Sequence, residues 1–144
     1  MAFNHLVLIG GGHSNVSLLK KWLMFPKLMP EIPVSIISRD SHLVYSALFP
    51  SVISKSITLE ESLIDIKSLA KNAKVLFIEE EVKDIDFDLK KIALSNRPSV
   101  NYSKLVLNYG SQTIIPKEFE SLVKNRKAFS IKPVSYTHLR AHET

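Results

Sequence analysis

Three consecutive glycines follow a short apolar run near the start of the chain. The apolar run covers residues 6–9, and Gly10, Gly11 and Gly12 lead directly into His13 and Ser14. Apolar residues then recur at positions 16, 18, 19, 22 and 23, which is the spacing of one helix face. Strand, glycine turn and helix in this order open a βαβ unit of the dinucleotide-binding type. Because glycine allows a sharp turn and a helix N-terminus presents polarised N–H groups, this segment is predicted to bind phosphate.

Glycine is otherwise scarce in this chain. Only four glycines occur in 144 residues, about half the usual share. The fourth, Gly110, closes another apolar run, and an isolated glycine at a strand end often marks the close approach of a ligand. The third position of the glycine fingerprint, usually Gly or Ala, is Asn15. We expect this departure to loosen the contact between the helix and the strand.

The last residues, 134–144, resemble a translated sequencing adaptor and are excluded from fold reasoning. The sequence therefore predicts one partial domain over residues 1–133, the front part of a longer protein. His138 and His142 fall in the excluded segment, so they indicate neither a metal site nor a catalytic base.

Composition excludes several classes of function. The net charge of +5 is spread over single lysines and pairs, without a basic stripe interleaved with aromatic residues, so nucleic-acid binding is not expected. The absence of cysteine excludes disulfides, zinc thiolate sites and redox cysteine pairs in this segment. No signal peptide and no apolar run long enough to span a membrane occur, so a cytoplasmic location is expected. The carboxylates at positions 79–81, 84, 86 and 88 are predicted to lie on a solvated face rather than to bind a metal.

The remaining pattern predicts an α/β domain. A Rossmann-like parallel sheet is expected, with an antiparallel β-hairpin layer inserted into it. The predicted elements are a buried strand over 34–38, a loop with a helical turn over 40–55, a helix over much of 61–72 after a Thr58–Glu61 capping box, a strand over 74–78, a hairpin from 82–87 and 91–94, and a last buried strand within 102–108.

Six short elements occur in order over residues 4–133: Gly10 to Ser14, Tyr45-Ser46 with Pro50, Ile64-Asp65-Ile66, Arg97-Pro98, Gly110-Ser111 and Ile131-Lys132-Pro133. In this series the chain resembles the pyridine nucleotide-disulfide oxidoreductase superfamily of flavoproteins. Within it, the chain is most similar to type II NADH dehydrogenase-like and sulfide:quinone oxidoreductase-like proteins, and to a branch found alone or fused to selenide water dikinase.

This resemblance implies a truncated FAD-binding domain of an enzyme. The complete protein is expected to be an FAD-dependent oxidoreductase that takes hydride from NAD(P)H and passes electrons to a quinone or another small-molecule acceptor. The NAD(P)H site, the acceptor site and any peripheral membrane contact are expected in the missing part, so the fragment itself is expected to be inactive and no catalytic residue is assigned. The alternative is a non-catalytic nucleotide-binding or regulatory module, for instance one fused to selenide water dikinase.

The resemblance also assigns cofactor contacts to individual residues. The turn from Gly10 to Gly12, with His13 and Ser14, is expected to bind the pyrophosphate. Ser38 stands where an Asp or Glu usually holds a ribose hydroxyl, and with Arg39 it is expected to contact adenosine. The alternative for this pair is a strand end that faces solvent.

Further contacts are implied along the rest of the chain. Tyr45 and Pro50 are expected along the isoalloxazine and ribityl groups, although Tyr45 is equally suited to filling the core. Val82 is expected to pair its backbone with the adenine edge, or else to be an ordinary sheet residue. Asn108, Tyr109 and Gly110 are expected beside the flavin pyrophosphate, and there Asn108 and Tyr109 replace the small pair that is usual in the family.

Overall fold

A computed structural model describes residues 4–110, 115–125 and 127. Nine strands and four α-helices lie along this part of the chain. In chain order they are β1 (Leu6–Ile9), α1 (His13–Met24), β2 (Val34–Ser38), β3 (His42–Val44), α2 (Phe49–Ile53), β4 (Leu63–Asp65), α3 (Ile66–Asn72), β5 (Leu76–Glu79), β6 (Val82–Asp86), β7 (Lys91–Leu94), β8 (Val100–Asn101), β9 (Lys104–Leu107) and α4 (Lys117–Lys124). Short 3-10 helices cover Pro26–Leu28, Ser46–Leu48 and Glu60–Ser62.

The chain divides into two compact units. The first consists of Met1–Leu43 and Ile64–Tyr109, and the second of Val44–Leu63 and Gly110–Thr144. The first unit contains the central sheet, α1, α3 and the antiparallel layer. The second contains α2 and α4. The predicted adaptor segment, 134–144, lies outside the described residues.

Four parallel strands form the centre of the first unit, in the order β5-β2-β1-β9. Leu6 of β1 lies opposite Val34 of β2 on one side and Lys104 of β9 on the other. Parallel neighbours require a crossover, so α1 and α3, which precede β2 and β5, run opposite to the strands. All residues of β1 and β2 are buried, including Ser35 and Ser38, because both strands lie inside the sheet and have a layer on each face.

Alternate residues of β1 belong to different layers of the core. Leu6 and Leu8 pack in the cluster formed with α1 and α3, which includes Leu19 and Ile66. Residues 7 and 9 pack in the opposite cluster, whose other members come from β2, from the antiparallel sheet β6-β7-β8 and from the residue after β8: Ile37, Ile92, Leu94 and Tyr102. The predicted parallel sheet with an inserted hairpin layer is therefore confirmed, and β8 adds an unpredicted third strand to that layer.

Two predicted helices differ in detail from the structure. Leu23 is not on the buried face of α1, because its side chain lies at the end of the helix and is 43% exposed. The Thr58–Glu61 capping box does form: the Thr58 N–H donates to Glu61 Oε2 at 2.7 Å. The box lies at the start of the 3-10 helix Glu60–Ser62 and not at the start of α3, because residues 63–65 are extended. The α3 helix begins later, and its N-cap is Asp65, which accepts from the Ser68 N–H at 2.9 Å.

The structure also corrects the predictions for one loop and one strand. The segment 40–55 is more ordered than predicted, because it contains β3 and α2. The last strand was predicted to be buried, yet Val106 and Leu107 of β9 are exposed. The reason is that β9 is an edge strand, whose strand neighbour among the described residues is β1. None of the helices in this part of the chain combines the length and the apolarity that crossing a bilayer requires.

Candidate functional site

The glycine turn lies at the carboxyl end of the central sheet, between two strand ends. The turn leaves β1, which has β2 on one side and β9 on the other. The Gly10 N–H donates to the Ile37 carbonyl at 2.8 Å, and the Asn108 N–H donates to the Ile9 carbonyl at 2.8 Å. Open α/β sheets bind ligands at the carboxyl ends of their strands, where the strand order reverses. Gly10 to Gly12 occupy this position.

Close packing against Asn108 explains two of the three glycines. Gly10 has φ +90°, and a Cβ there would lie 2.7 Å from the carbonyl carbon of Asn108. A Cβ on Gly12 would contact the side-chain amide and the carbonyl oxygen of Asn108. Gly11 is less restricted, because its Cβ would contact mainly the flexible end of the Ile66 side chain. The turn is therefore compact because strand β9 passes directly behind it.

The N-terminus of α1 begins inside this turn. Gly12 is the N-cap residue and has no side chain to cap the helix. Its N–H donates to the Asn108 carbonyl at 3.0 Å, and the Asn15 N–H donates to Asn108 Oδ1 at 3.4 Å. No acidic residue lies in the first turn, where His13 and Ser14 are exposed. The positive end of the helix dipole is thus accessible at two adjacent residues without a carboxylate of its own, which suits an anion.

The prediction that Asn15 loosens the contact between α1 and β1 is wrong. The Asn15 side chain is 1% exposed. The Nδ2 group donates to the carbonyls of Gly10 at 2.8 Å and Ile9 at 3.2 Å, so the amide closes the end of β1 against the helix. Its Oδ1 atom is buried and has no hydrogen-bond partner within the described ranges. A small residue at this fingerprint position would allow the helix to approach the strand closely. Here the Asn15 amide joins α1 to the end of β1 by hydrogen bonds to the backbone.

Ser38 and Arg39 end β2 beside the glycine turn. Ser38 is buried, and its hydroxyl donates to the Asp40 carbonyl at 3.0 Å. Arg39 is exposed and pairs with the Asp40 carboxylate at 3.3 Å. The hydroxyl hydrogen of Ser38 is therefore engaged inside the chain, while its oxygen retains acceptor capacity. The predicted adenosine contacts of both residues stay predictions.

Glu80 was predicted to lie on a solvated face, but its side chain is only 9% exposed. Its N–H donates to the Ser38 carbonyl at 3.0 Å, which places it beside the end of β2. Its carboxylate accepts from Asn96 Nδ2 at 3.2 Å and lies 3.9 Å from Arg97 Nε. Glu79 does match the prediction, since it is half exposed and pairs with Lys67. A buried carboxylate therefore lies at the ligand edge of the sheet, balanced by an arginine.

The other predicted contacts divide between the two units. In the first unit, Val82 begins β6 and is half buried over the second core cluster, while Asn108 is half buried and Tyr109 is exposed. In the second unit, Tyr45 is half buried and its N–H donates to the Ser62 carbonyl at 2.8 Å, whereas Pro50 and Gly110 are exposed. A Cβ on Gly110 would have no heavy atom of the described residues within 4 Å. Their contacts with a cofactor stay predictions.

Two carboxyl groups in the part of the chain that the structure describes have shifted pKa values, and both cap local structure. The hydroxyl and N–H of Ser68 lower the pKa of Asp65, and the N–H and hydroxyl of Thr58 lower the pKa of Glu61. Hydrogen bonds to the charged form cause both shifts. Across the described ranges, no group of three or more His, Asp or Glu side chains is arranged to bind a metal ion.

Sequence reasoning missed the position of Glu80 and the capping role of the Asn108 amide, and strand order could have indicated only the first. The carboxyl ends of parallel strands meet at one edge, so the residues directly after each strand are neighbours. Glu80 follows β5 and Asn108 follows β9. The capping role of the Asn108 amide had no signal in the sequence, because it depends on a contact between residues 93 positions apart.

Solved structures share this fold. The chain superimposes on the sulfide:quinone oxidoreductase from Aquifex aeolicus with a TM-score of 0.69 at 23% identity, over 82% of this chain and 27% of that one. It matches the reduced CoADR-RHD from Bacillus anthracis with a TM-score of 0.66 at 20% identity, over 81% and 22%. It matches the water-forming NADH oxidase from Lactobacillus brevis with a TM-score of 0.62 at 18% identity, over 86% and 32%.

At these identities the likeness shows a common fold, and it confirms the fold that the resemblance implied. The chain spans between 22 and 32% of the length of these three structures. No protein-family model matches the sequence, and a comparison with curated proteins finds no significant match.

Proposed function

We propose that this chain is the FAD-binding front part of a flavin-dependent NAD(P)H oxidoreductase of the pyridine nucleotide-disulfide oxidoreductase superfamily. The observation that carries the proposal is the glycine turn, which joins β1 to an α1 N-terminus free of carboxylates at the strand-order reversal between β1 and β9. The three structural relatives are an oxidoreductase acting on sulfide and quinone, CoADR-RHD, and an oxidase bound to NADH. In the complete protein, electrons would pass from NAD(P)H to a quinone or another acceptor.

The residues present fit a dinucleotide in three respects. The turn is held against Asn108 by backbone hydrogen bonds and lacks side chains that would block its approach. His13 and Ser14 project their backbone and side chains from the first turn of α1, where a pyrophosphate gains from the helix dipole. The inserted sheet β6-β7-β8 supplies the start of β6, an edge strand whose Val82 lies opposite Leu94 and would present its backbone to adenine.

The other proposed contacts complete the binding role. Ser38 Oγ would accept a hydrogen bond from a ribose hydroxyl, and Arg39 would lie beside adenosine. Tyr45, Pro50, Tyr109 and Gly110 would contact the flavin and its pyrophosphate. A bound flavin would supply the hydride-accepting chemistry, while these residues would bind and orient it.

A second candidate is a nucleotide-binding module without catalysis, for instance one fused to selenide water dikinase. One observation favours it: the residue in the ribose-binding position is a buried serine whose hydroxyl donates to the Asp40 carbonyl, and not an acid. A neutral contact of this kind holds a ribose more weakly than a carboxylate does.

Flavin titration followed by reduction separates the two candidates. The chain is titrated with FAD while the quenching of flavin fluorescence is followed, and the longer protein is then mixed with NAD(P)H. Saturable binding and bleaching of the yellow colour support the oxidoreductase. Binding without bleaching supports the second candidate, and the absence of any nucleotide binding contradicts both.

Gly110→Ala gives this titration a matched variant. The added methyl group meets no atom of the described chain within 4 Å, so folding stability is expected to stay unchanged. A loss of FAD affinity in this variant would indicate that the added methyl group contacts FAD. An affinity equal to wild type would remove Gly110 from the site.

A further inference from the structure

Glu80 places a mostly buried carboxylate between the two segments that are expected to contact adenosine. Its side chain is 9% exposed. Its N–H donates at 3.0 Å to the carbonyl of Ser38, the last residue of β2, and Val82 begins β6 two residues after it. Ribose is expected at Ser38 and adenine at Val82. Glu80 therefore lies between the expected positions of the sugar and the base.

The side chains of Glu79 and Glu80 point to opposite faces of the central sheet. Glu79 is half exposed and lies 3.9 Å from Lys67 of α3. Glu80 contacts the loop that follows β7: its Oε1 atom accepts from Asn96 Nδ2 at 3.2 Å, and its Oε2 atom lies 3.9 Å from Arg97 Nε. A buried carboxylate is costly unless it is paired and hydrogen-bonded, and these two partners offset part of that cost.

One oxygen of the Glu80 carboxylate keeps unused acceptor capacity. A carboxylate offers about four acceptor sites. The Oε1 atom accepts from Asn96 Nδ2 and from the Glu81 N–H, both at 3.2 Å, whereas Oε2 has no hydrogen-bond donor among the described residues. In the same part of the chain, the only fully buried side-chain oxygen or nitrogen without a partner is Asn15 Oδ1. Glu80 Oε2 therefore still reaches solvent and is open to a donor from a ligand.

We propose that Glu80 Oε2 accepts a hydrogen bond from a ribose hydroxyl, and that this site takes adenine nucleotides whose ribose carries both free hydroxyls. The inference rests on the proposed function, and it supplies from β5 the carboxylate that β2 lacks at Ser38. The two hydroxyls then have two acceptors, Ser38 Oγ and Glu80 Oε2. A hydrogen bond to a carboxylate is roughly twice as strong as one to a neutral oxygen, so Glu80 makes the stronger contact.

The charges near the ends of β2 and β5 favour a hydroxyl over a phosphate on the ribose. Both guanidinium groups there already have a carboxylate beside them: Arg39 pairs with Asp40 at 3.3 Å, and Arg97 lies 3.9 Å from Glu80. A 2′-phosphate would meet two carboxylates as well as two arginines, and it would replace a hydroxyl that can donate to Oε2. A site built to bond a hydroxyl rejects the analogue that lacks it, because the polar group of the site is then left unpaired.

Calorimetric titration with ADP and with 2′,3′-dideoxyadenosine 5′-diphosphate tests this inference. The two probes share the base and the pyrophosphate, and they differ in the two ribose hydroxyls. Wild type is expected to bind ADP at least about tenfold more tightly, because hydrogen bonds to charged groups are the strong ones. Wild type is also expected to bind adenosine 2′,5′-bisphosphate more weakly than AMP.

Glu80→Gln keeps the size of the side chain and removes its charge. A neutral acceptor gives roughly half the free energy, so the preference for ADP over the dideoxy analogue is expected to fall at least about threefold. Glu79→Gln makes the same change one residue earlier, on the opposite face of the sheet, and is expected to keep the wild-type preference. The preference is a ratio of two affinities of one variant, so partial unfolding of that variant leaves it unchanged.

The outcomes separate this inference from the proposed function. Equal affinity of wild type for ADP and the dideoxy analogue overturns the inference alone. So does an unchanged preference in Glu80→Gln, an equal fall in Glu79→Gln, or tighter binding of adenosine 2′,5′-bisphosphate than of AMP. If wild type binds neither ADP nor FAD, the proposed function fails and the inference fails with it.

Discussion

Alanine substitutions at the four glycines should destabilise the chain to sharply different degrees. Gly10→Ala combines two costs. A residue with a side chain at φ +90° is strained by about 1–3 kcal/mol. Its Cβ would also lie 2.7 Å from the carbonyl carbon of Asn108 and from the Cα of Tyr109, backbone atoms that cannot rotate away. Overpacking of this kind costs about 1–3 kcal/mol more, so the total is about 2–6 kcal/mol.

The other three glycines provide a graded comparison. Gly12 has an ordinary φ of −62°, so Gly12→Ala meets only crowding by Asn108, at about 1–3 kcal/mol. Gly11→Ala crowds the end of the buried Ile66 side chain rather than backbone atoms, and this overpacking should cost about 1–3 kcal/mol. Gly110→Ala meets no heavy atom within 4 Å in the part of the chain that the structure describes, and should stay within about 0.5 kcal/mol of wild type.

Urea denaturation measures this series. Trp22 is the only tryptophan and is buried in the α1 cluster, so its fluorescence reports the first unit. Circular dichroism follows the chain as a whole. A common urea dependence across the variants is needed for the midpoints to rank stability. If Gly10→Ala and Gly110→Ala unfold at the same urea concentration, the close approach of β9 to the glycine turn is wrong.

Three further substitutions test separate parts of the fold. Asn15→Asp places a carboxylate against the carbonyls of Ile9 and Gly10 and should cost about 3 kcal/mol in thermal unfolding; an unchanged Tm would contradict the amide bonds. Asp65→Ala removes the α3 cap and should cost about 1 kcal/mol near neutral pH. Because Ser68 lowers the pKa of Asp65, this stabilisation is present above about pH 4 and is lost as pH falls through the lowered pKa, so the variant and wild type should converge in acid. Ile36→Ala should cost about 2–5 kcal/mol by urea denaturation, since the side chain is fully buried, and a smaller loss would contradict that burial.

Local sequence patterns predicted the elements whose causes are local. The strand over 34–38 matches β2, and the Thr58–Glu61 capping box forms as its spacing indicates. The parallel sheet and the hairpin layer also followed from the order of apolar runs and turns. The strand and the capping box depend on residues close together in the chain, whereas the parallel sheet pairs residues as distant as Leu6 and Lys104, and only the order of its elements could indicate it.

Other features that depend on distant contacts were not predicted. The capping box lies at the start of a 3-10 helix, because β4 separates it from α3. Residue spacing does not reveal this intervening strand. The exposure of Val106 depends on the position of β9 at the sheet edge. The burial of Glu80 depends on Asn96 and Arg97, which lie beyond the hairpin. At the candidate site, the restrictions on Gly10 and Gly12 depend on the position of Asn108, which lies about a hundred residues away in the chain.

The most direct test of the central claim is the affinity of the chain for FAD when a negative charge is placed in the first turn of α1. Ser14→Glu adds a carboxylate at an exposed residue there, and Ser17→Glu adds the same charge at an exposed residue one turn later. A glutamate near a helix N-terminus stabilises the helix by about 0.3–1 kcal/mol, so Ser14→Glu should fold at least as well as wild type.

A pyrophosphate bound at this helix end would be repelled by the new carboxylate. The account predicts that Ser14→Glu lowers FAD affinity more than about tenfold, which corresponds to about 1.4 kcal/mol, while Ser17→Glu changes it little. Equal FAD affinity in both variants and in wild type would show that the pyrophosphate does not bind at the glycine turn.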